Sequence, residues 1–383
     1  MNFVLNRIAL HLCRIFSPDK MIPRIRFQNK EQVPFVKELR KRVNHYFKEN
    51  KISRNANTHM VIKTISMFLI YLIPYALIYT GVLSGVWAFA LAITMGLGMA
   101  GIGMAVMHDA NHGAYSTSPK ANNLLGICIH LIGGDVYNWK VQHNILHHTY
   151  TNINGLDGDI AQDPLLRLSA EQPWGKGHKF QHIYAFFLYS LGTLLWSVID
   201  FIQYRRFTKM GLSPEGKLDK AKQFKKLLSY KLAYWIFIFV LPMVFSPFTW
   251  WQVLIGWLVM NMVAGLILTV TFQLAHVVEG VSFPVPSDEG KVENEWMIHQ
   301  LKTTANFAKD SKLVTWYVGG LNFQIEHHLF PNICHVHYKK ISDIVKATAD
   351  EYGIIYNDNK TYFSAVCSHY KMLKQLGVKP VVS

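Results

Sequence analysis

An all-α integral membrane protein, with four transmembrane helices in two hairpins and a cytoplasmic helical cap, is the fold class that three features of this 383-residue sequence predict. Half of its residues are hydrophobic, with ten Trp and 23 Phe, more than the surface of a soluble protein tolerates. The apolar residues gather in paired runs, and crossing a bilayer takes about 20 residues at 1.5 Å rise. The charge, +15 overall, is concentrated at residues 24–54 and 205–231, beside those runs, and is absent from the turns that join each pair.

Residues 1–59 form a basic N-terminal segment on the cytoplasmic side, opening with NFVLNRIALHLCRIF, a short amphipathic stretch without a signal-peptide cleavage site that is expected to rest on the membrane. Residues 60–107 form the first hairpin: an apolar run over 60–80, interrupted only by Lys63, then GVLSG, then a second run over 82–107. Residues 231–276 form the second hairpin, with apolar runs at 232–245 and 251–275 joined by SPFTWW, whose two Trp suit a membrane interface. Because the basic flanks lie outside both turns, both hairpins are expected to enter and leave on the cytoplasmic side. Residues 108–230 and 277–383 then share that side and build the cap. The apolar stretch at 183–202 would break this parity as a fifth span, so it is expected to be a helix lying in or under the interface. Basic patches also suit nucleic acid, but charge that flanks apolar runs fits membrane topology, and no nucleic-acid partner is expected. Cys13, Cys128, Cys334 and Cys367 are scattered singly, so neither a disulfide framework nor a thiolate zinc site is expected, and the compartment reads as reducing.

Histidines cluster where the spans meet the cap. HDANH puts His108 and His112 four residues apart at the end of the second run, hence on one helical face. QHNILHHTYTN puts His143 and His147 one turn apart on a helix, with His148 one step round. FQIEHHLFP places Gln324, His327 and His328 on one face of a helix that should stop near Pro331. His276 closes the fourth run at its cytoplasmic end. These eight histidines exceed one coordination sphere, since zinc usually takes four ligands and octahedral metals six, so two metals are implied. Imidazole suits iron, copper, zinc or nickel, and donor type does not choose among them. Bis-histidine haem is a poorer reading, because its ligands come from facing helices rather than adjacent pairs. The other histidines share no such pattern, although His335 and His337 lie close enough to the third group to support it. Asp109, Asp157, Asp159 and Asp163 lie near the groups and are expected to orient ligating imidazoles through the second ring nitrogen.

HDANH, HNILHH and QIEHH resemble the three histidine boxes of the membrane fatty acid desaturases, in order, in spacing and in relation to two hydrophobic hairpins, over residues 60–338. The resemblance implies that the cap is catalytic, with two iron ions as cofactor, O2 as co-substrate and an acyl chain as substrate. By the same resemblance the ligands are His108, His112, His143, His147, His148, His276, His327 and His328, with His276 matching an extra ligand on the fourth span. Many members begin the third box with His where this chain has Gln324; that departure resembles the front-end desaturases, which insert a double bond between an existing one and the carboxyl end. Gln324 can ligate through its carbonyl oxygen or hold a water. No HPGG of a fused cytochrome b domain occurs, so electrons are expected from a separate ferredoxin or cytochrome b class protein. The acyl group is expected as a coenzyme A thioester or on a membrane lipid, and the location as a bacterial inner membrane or endoplasmic reticulum with the site facing the cytoplasm. Related families with this scaffold hydroxylate instead of desaturating. A histidine-rich metal transporter would place its ligands along the spans rather than beyond their ends.

Overall fold

The computed structural model describes residues 25–83, 85–160, 164–214, 216 and 218–380; the N-terminal amphipathic stretch and Asp163 lie outside them. Among the described residues, four helices are long and apolar enough to cross a membrane: Thr58–Thr80, Val86–Asn111, Lys220–Phe245 and Trp250–His276. They are the spans of the two expected hairpins. Two of them run past the apolar residues that reveal them. The second continues through HDAN, so the first box is the end of a span rather than the start of a separate element. The third begins at Lys220 instead of near residue 232, because Asp219 caps it by accepting from Lys222 N at 3.0 Å and its first turns need no apolar surface.

The spans pack through small residues. A Cβ added at Gly98 would lie 2.6 Å from Tyr71 N, so glycine is what allows the first two spans to touch backbone to backbone. In the third span a wide turn, Ile236–Val240, precedes Pro242. The i→i+5 donor for the Phe237 carbonyl would be residue 242, which as proline has no N–H. The Tyr75 hydroxyl supplies the missing hydrogen bond, with its ring stacked on Phe237 at 4.1 Å.

The 183–202 stretch is not one helix. It forms Gln181–Ser190 and Gly192–Lys209, with a 75° bend between them. The bend sits on the fourth span, where Thr193 donates to the Asn261 carbonyl at 2.8 Å and a Cβ on Gly265 would lie 2.5 Å from Ser190 O. From the second of these helices, Asp200 makes a buried ion pair with Lys231 of the third span. Lys231 also donates to the carbonyls of Gly133 at 2.5 Å and Trp196 at 2.9 Å. Asn138 donates to Asp200 O at 2.7 Å, and Asp135 accepts from Asn138 N at 2.9 Å. This network fixes the start of the helix that carries the second histidine box.

The cap is mostly helical. Val33–Glu49 packs Phe35, Leu39, Val43 and Phe47 against Ile341, Val345 and Ala349 of Tyr338–Glu351, and the same core takes in Phe323, Ile325 and Leu329 beside the third box. Two parallel ladders of two residues each, Arg26–Phe27 with Lys291–Val292 and Asn306–Phe307 with Asp358–Asn359, tie distant loops together.

Breaking a buried ion pair from one side leaves the other charge unpaired. Lys231→Met is expected to cost about 3–5 kcal/mol of stability, and adding Asp200→Leu to recover much of it, as read by unfolding in detergent.

Candidate metal centre

The second span widens over Ile102–Met107 just before His108, and this wide turn aims the box inward. His108 and His112 then lie together, with ring centroids 4.8 Å apart. The second box departs from simple helical spacing. Residues Lys140–His147 form another wide turn, so that His143 and His148, five apart, meet with Nε2 atoms at 3.3 Å, while His147 turns away toward the fourth span. The third box is the helix Gln324–Leu329, started where Asn306 Oδ1 accepts from Ile325 N at 2.9 Å and ended before Phe330 and Pro331.

Two groups result. The donor atoms of His108, His112, His143 and His327 all lie within 4.8 Å of one another, as do those of His147, His276 and His328. His148 Nε2 is 2.9 Å from His327 Nε2 and 3.3 Å from His143 Nε2, and the donor atoms of His148, His327 and His328 also lie within 4.8 Å of one another, so His148 stands where the two groups meet. The Nε2 atoms of His108 and His143, and of His147 and His328, approach to 3.2 Å. Burial and the neighbouring imidazoles hold His143, His148, His327 and His328 well below the ordinary histidine range, so they are neutral. Each neutral ring has one N–H and one nitrogen lone pair, so where the outward nitrogen keeps the proton the inward nitrogens face one another as lone pairs. His112 Nε2 and both ring nitrogens of His276 are buried with no hydrogen-bond partner. Such a donor set fits a cation at each group, and imidazole suits iron.

The outward nitrogens are held in place. Asp157 Oδ2 accepts from His147 Nδ1 at 3.0 Å and from Asn152 N at 2.9 Å, which keeps the ring proton on Nδ1 and leaves Nε2 free. Asp159 is less direct: it lies 3.6 Å from His147 Nδ1 and accepts from Gln142 at 3.1 Å. Asp109 does not orient His108, whose Nδ1 is 3.8 Å away, and bonds His335 instead. Gln324 is buried at the start of the third-box helix. Beside it, burial pushes Glu326 up to about 7 despite bonds from Asn306 at 2.7 Å and Tyr356 at 2.9 Å. His337 bonds the Asn55 carbonyl, His130 stacks on Tyr230, and His369 bonds the Val277 carbonyl, so these three stay outside the centre.

Spacing does not reveal Gln300, Thr151, Tyr338 or Asn152. Gln300 Oε1 accepts from His328 Nδ1 and from the Thr151 hydroxyl, both at 2.8 Å, while its amide donates to His148 O at 3.2 Å, linking boxes two and three. The Tyr338 hydroxyl is 3.3 Å from His327 Nδ1. Asn152, in the left-handed region at φ 58, donates to His276 O at 2.9 Å and so pins the end of the fourth span. The TYTN after the double histidine is a weak signal for Thr151 and Asn152; nothing local marks Gln300.

Losing such an outward partner commonly costs about 10–100-fold in metal affinity. Asp157→Asn and Gln300→Ala are each expected to lower metal retention by that order in a chelator competition.

Residues 84–360 match the pattern of the family described as fatty acid desaturase. An sn-1 linoleoyl-lipid 6-desaturase of Arthrospira platensis is 36% identical over 354 residues, covering 91% of this chain and 94% of that protein. Another from Synechocystis sp. is 35% identical over 92% of this chain and 98% of its own length. An acyl-lipid (8-3)-desaturase of Physcomitrium patens is 34% identical over 92% of this chain and 74% of its own length.

Proposed function

The chain belongs to the fatty acid desaturase family, and from that membership we propose that it is an acyl-lipid desaturase of the front-end type, which adds a cis double bond between an existing one and the carboxyl end. It is an integral membrane oxidoreductase. The observation that carries the reading is the pair of buried histidine groups at the ends of the second and fourth spans. His108, His112, His143, His148 and His327 hold one iron. His147, His276 and His328 hold the other, with Gln324 as a further oxygen donor or as the anchor of a water.

Two adjacent methylenes lose two hydrogens, and O2 with two electrons and two protons leaves as two waters. When bound, the irons would supply the oxidising power that unactivated C–H bonds require and that side chains lack. The protein's own part is positioning. Asp157 and Gln300 hold the rings of His147 and His328 through their Nδ1 protons, so their Nε2 lone pairs stay directed inward. The burial of every histidine in the second group keeps water from the reacting carbons. The substrate is an unsaturated acyl chain on a glycerolipid, as the names of the relatives suggest, and a separate ferredoxin or cytochrome b class protein delivers electrons. The centre faces the cytoplasm, with residues 1–59, 108–230 and 277–383 on that side and the hairpins 60–107 and 231–276 in the bilayer. The basic segments beside the spans support this orientation.

Expression in a host that makes linoleoyl lipids but nothing more unsaturated, followed by mass spectrometric location of double bonds, is expected to show a new one at carbon 6. A new bond on the methyl side of the existing ones, or a hydroxyl product, would contradict the proposal. Replacing His112, His147 or His328 by Ala is expected to abolish product, and the pairwise losses not to add, because the residues act as one unit. Accessibility tags at Gly81 and Pro247 are expected on the face opposite to tags at Gly155 and Gly290.

A further inference from the structure

Lys63 lies in the first span, where a charged side chain is costly and rarely idle. It is 4% exposed. Its Nζ is 2.7 Å from His335 Nε2, and His335 Nδ1 is 2.8 Å from Asp109 Oδ2, which also accepts the backbone N–H of His335 at 3.1 Å. An ammonium only donates, so Nε2 must accept, and the ring proton sits on Nδ1 where Asp109 takes its hydrogen bond. Ammonium, imidazole and carboxylate therefore form one directed chain whose end charges cancel. Asp109, Cys334 and His335 lie within 4.8 Å of one another, a spacing that suits a cation, but the Lys63 ammonium already fills that role.

We propose that Lys63 is a positioning residue for the first iron, acting through His335 on Asp109. Asp109 lies about 100° round the helix axis from His108. Tied to the first span through His335, it resists rotation of the HDANH turn. On the other flank, Asn111 donates to Gly126 O at 3.2 Å, and its carbonyl accepts from Asn144 at 3.1 Å. Held from both flanks, His108 and His112 keep their direction toward His143 and His327. Asp109 Oδ1 is 3.8 Å from His108 Nδ1, beyond hydrogen-bond reach, and that nitrogen has no hydrogen-bond partner. The tether thus takes the place of the carboxylate that serves His147. Among the described residues no hydrogen bond or ion pair joins Lys63 to His147, His276 or His328, so its effect is expected at one of the two metal positions.

The inference rests on the two-iron reading, and the test separates the two. Full-length protein is expressed with 57Fe, purified in detergent, challenged with a chelator, and examined for iron content and Mössbauer spectrum, with gel filtration and circular dichroism as controls for folding. Lys63→Met is expected to bind the first iron roughly ten- to hundredfold more weakly, losing one iron and its signal while the other persists. Lys63→Arg, which keeps charge and donors, is expected to hold both. His335→Asn keeps a donor for Asp109 but cannot reach Lys63, and carries the same test if Lys63→Met does not fold; the same selective loss is expected. Folded variants that keep both irons with unchanged spectra, or that lose both equally, would overturn the role of Lys63 and leave the two-iron reading standing. Fewer than two irons in the unaltered protein would overturn both.

Discussion

Buried imidazole nitrogens that face one another need something positive between them, and the rest of this structure is arranged around that requirement. Two rings meeting at 3.2 Å through Nε2 can share at most one proton in that contact. Repeated across eight histidines from four segments of chain, such contacts leave buried acceptors unpaired. The cost is tolerable only if metal ions take the lone pairs, so metal binding and the folding of the cap are coupled.

The spans meet that requirement by bringing their ends to one place. Wide turns at Ile102–Met107 and Lys140–His147 rotate the histidines that follow them, and both lie directly before or within a box. Each box is then held by groups from a different part of the chain: Asp157 behind His147, Gln300 between boxes two and three, Asp109 against His335, and the Lys231–Asp200 pair beneath the helix of box two. Two lysines buried within the spans, Lys63 and Lys231, point to the machinery rather than to lipid. The protein keeps charge in the membrane where it orients a neighbouring element.

Much of this was legible in the sequence. Four apolar runs with uncharged turns were enough for the spans, because hydrocarbon tolerates little else. The boxes stood out because helical spacing puts their histidines on one face, and His276 because it ends a span. The partition into two groups was not legible: periodicity at 3.6 pairs His143 with His147, whereas the wide turn pairs His143 with His148. Nor was the 75° bend after Ser190, which depends on the close approach of Gly265 on another helix. Gln300 and the partner of Asp109 were hidden for the same reason, since long-range hydrogen bonds leave no local pattern.

The central claim is that two irons sit in unequal shells, one amid His108, His112, His143, His148 and His327 and the other amid His147, His276 and His328 near Gln324. An anomalous difference map at the iron edge, from crystals of the protein purified with its metal, tests this most directly. The account predicts two iron peaks, each within bonding distance of the Nε2 atoms of its own group. A single peak shared by both groups, or two peaks whose edge belongs to zinc in an active preparation, would contradict it.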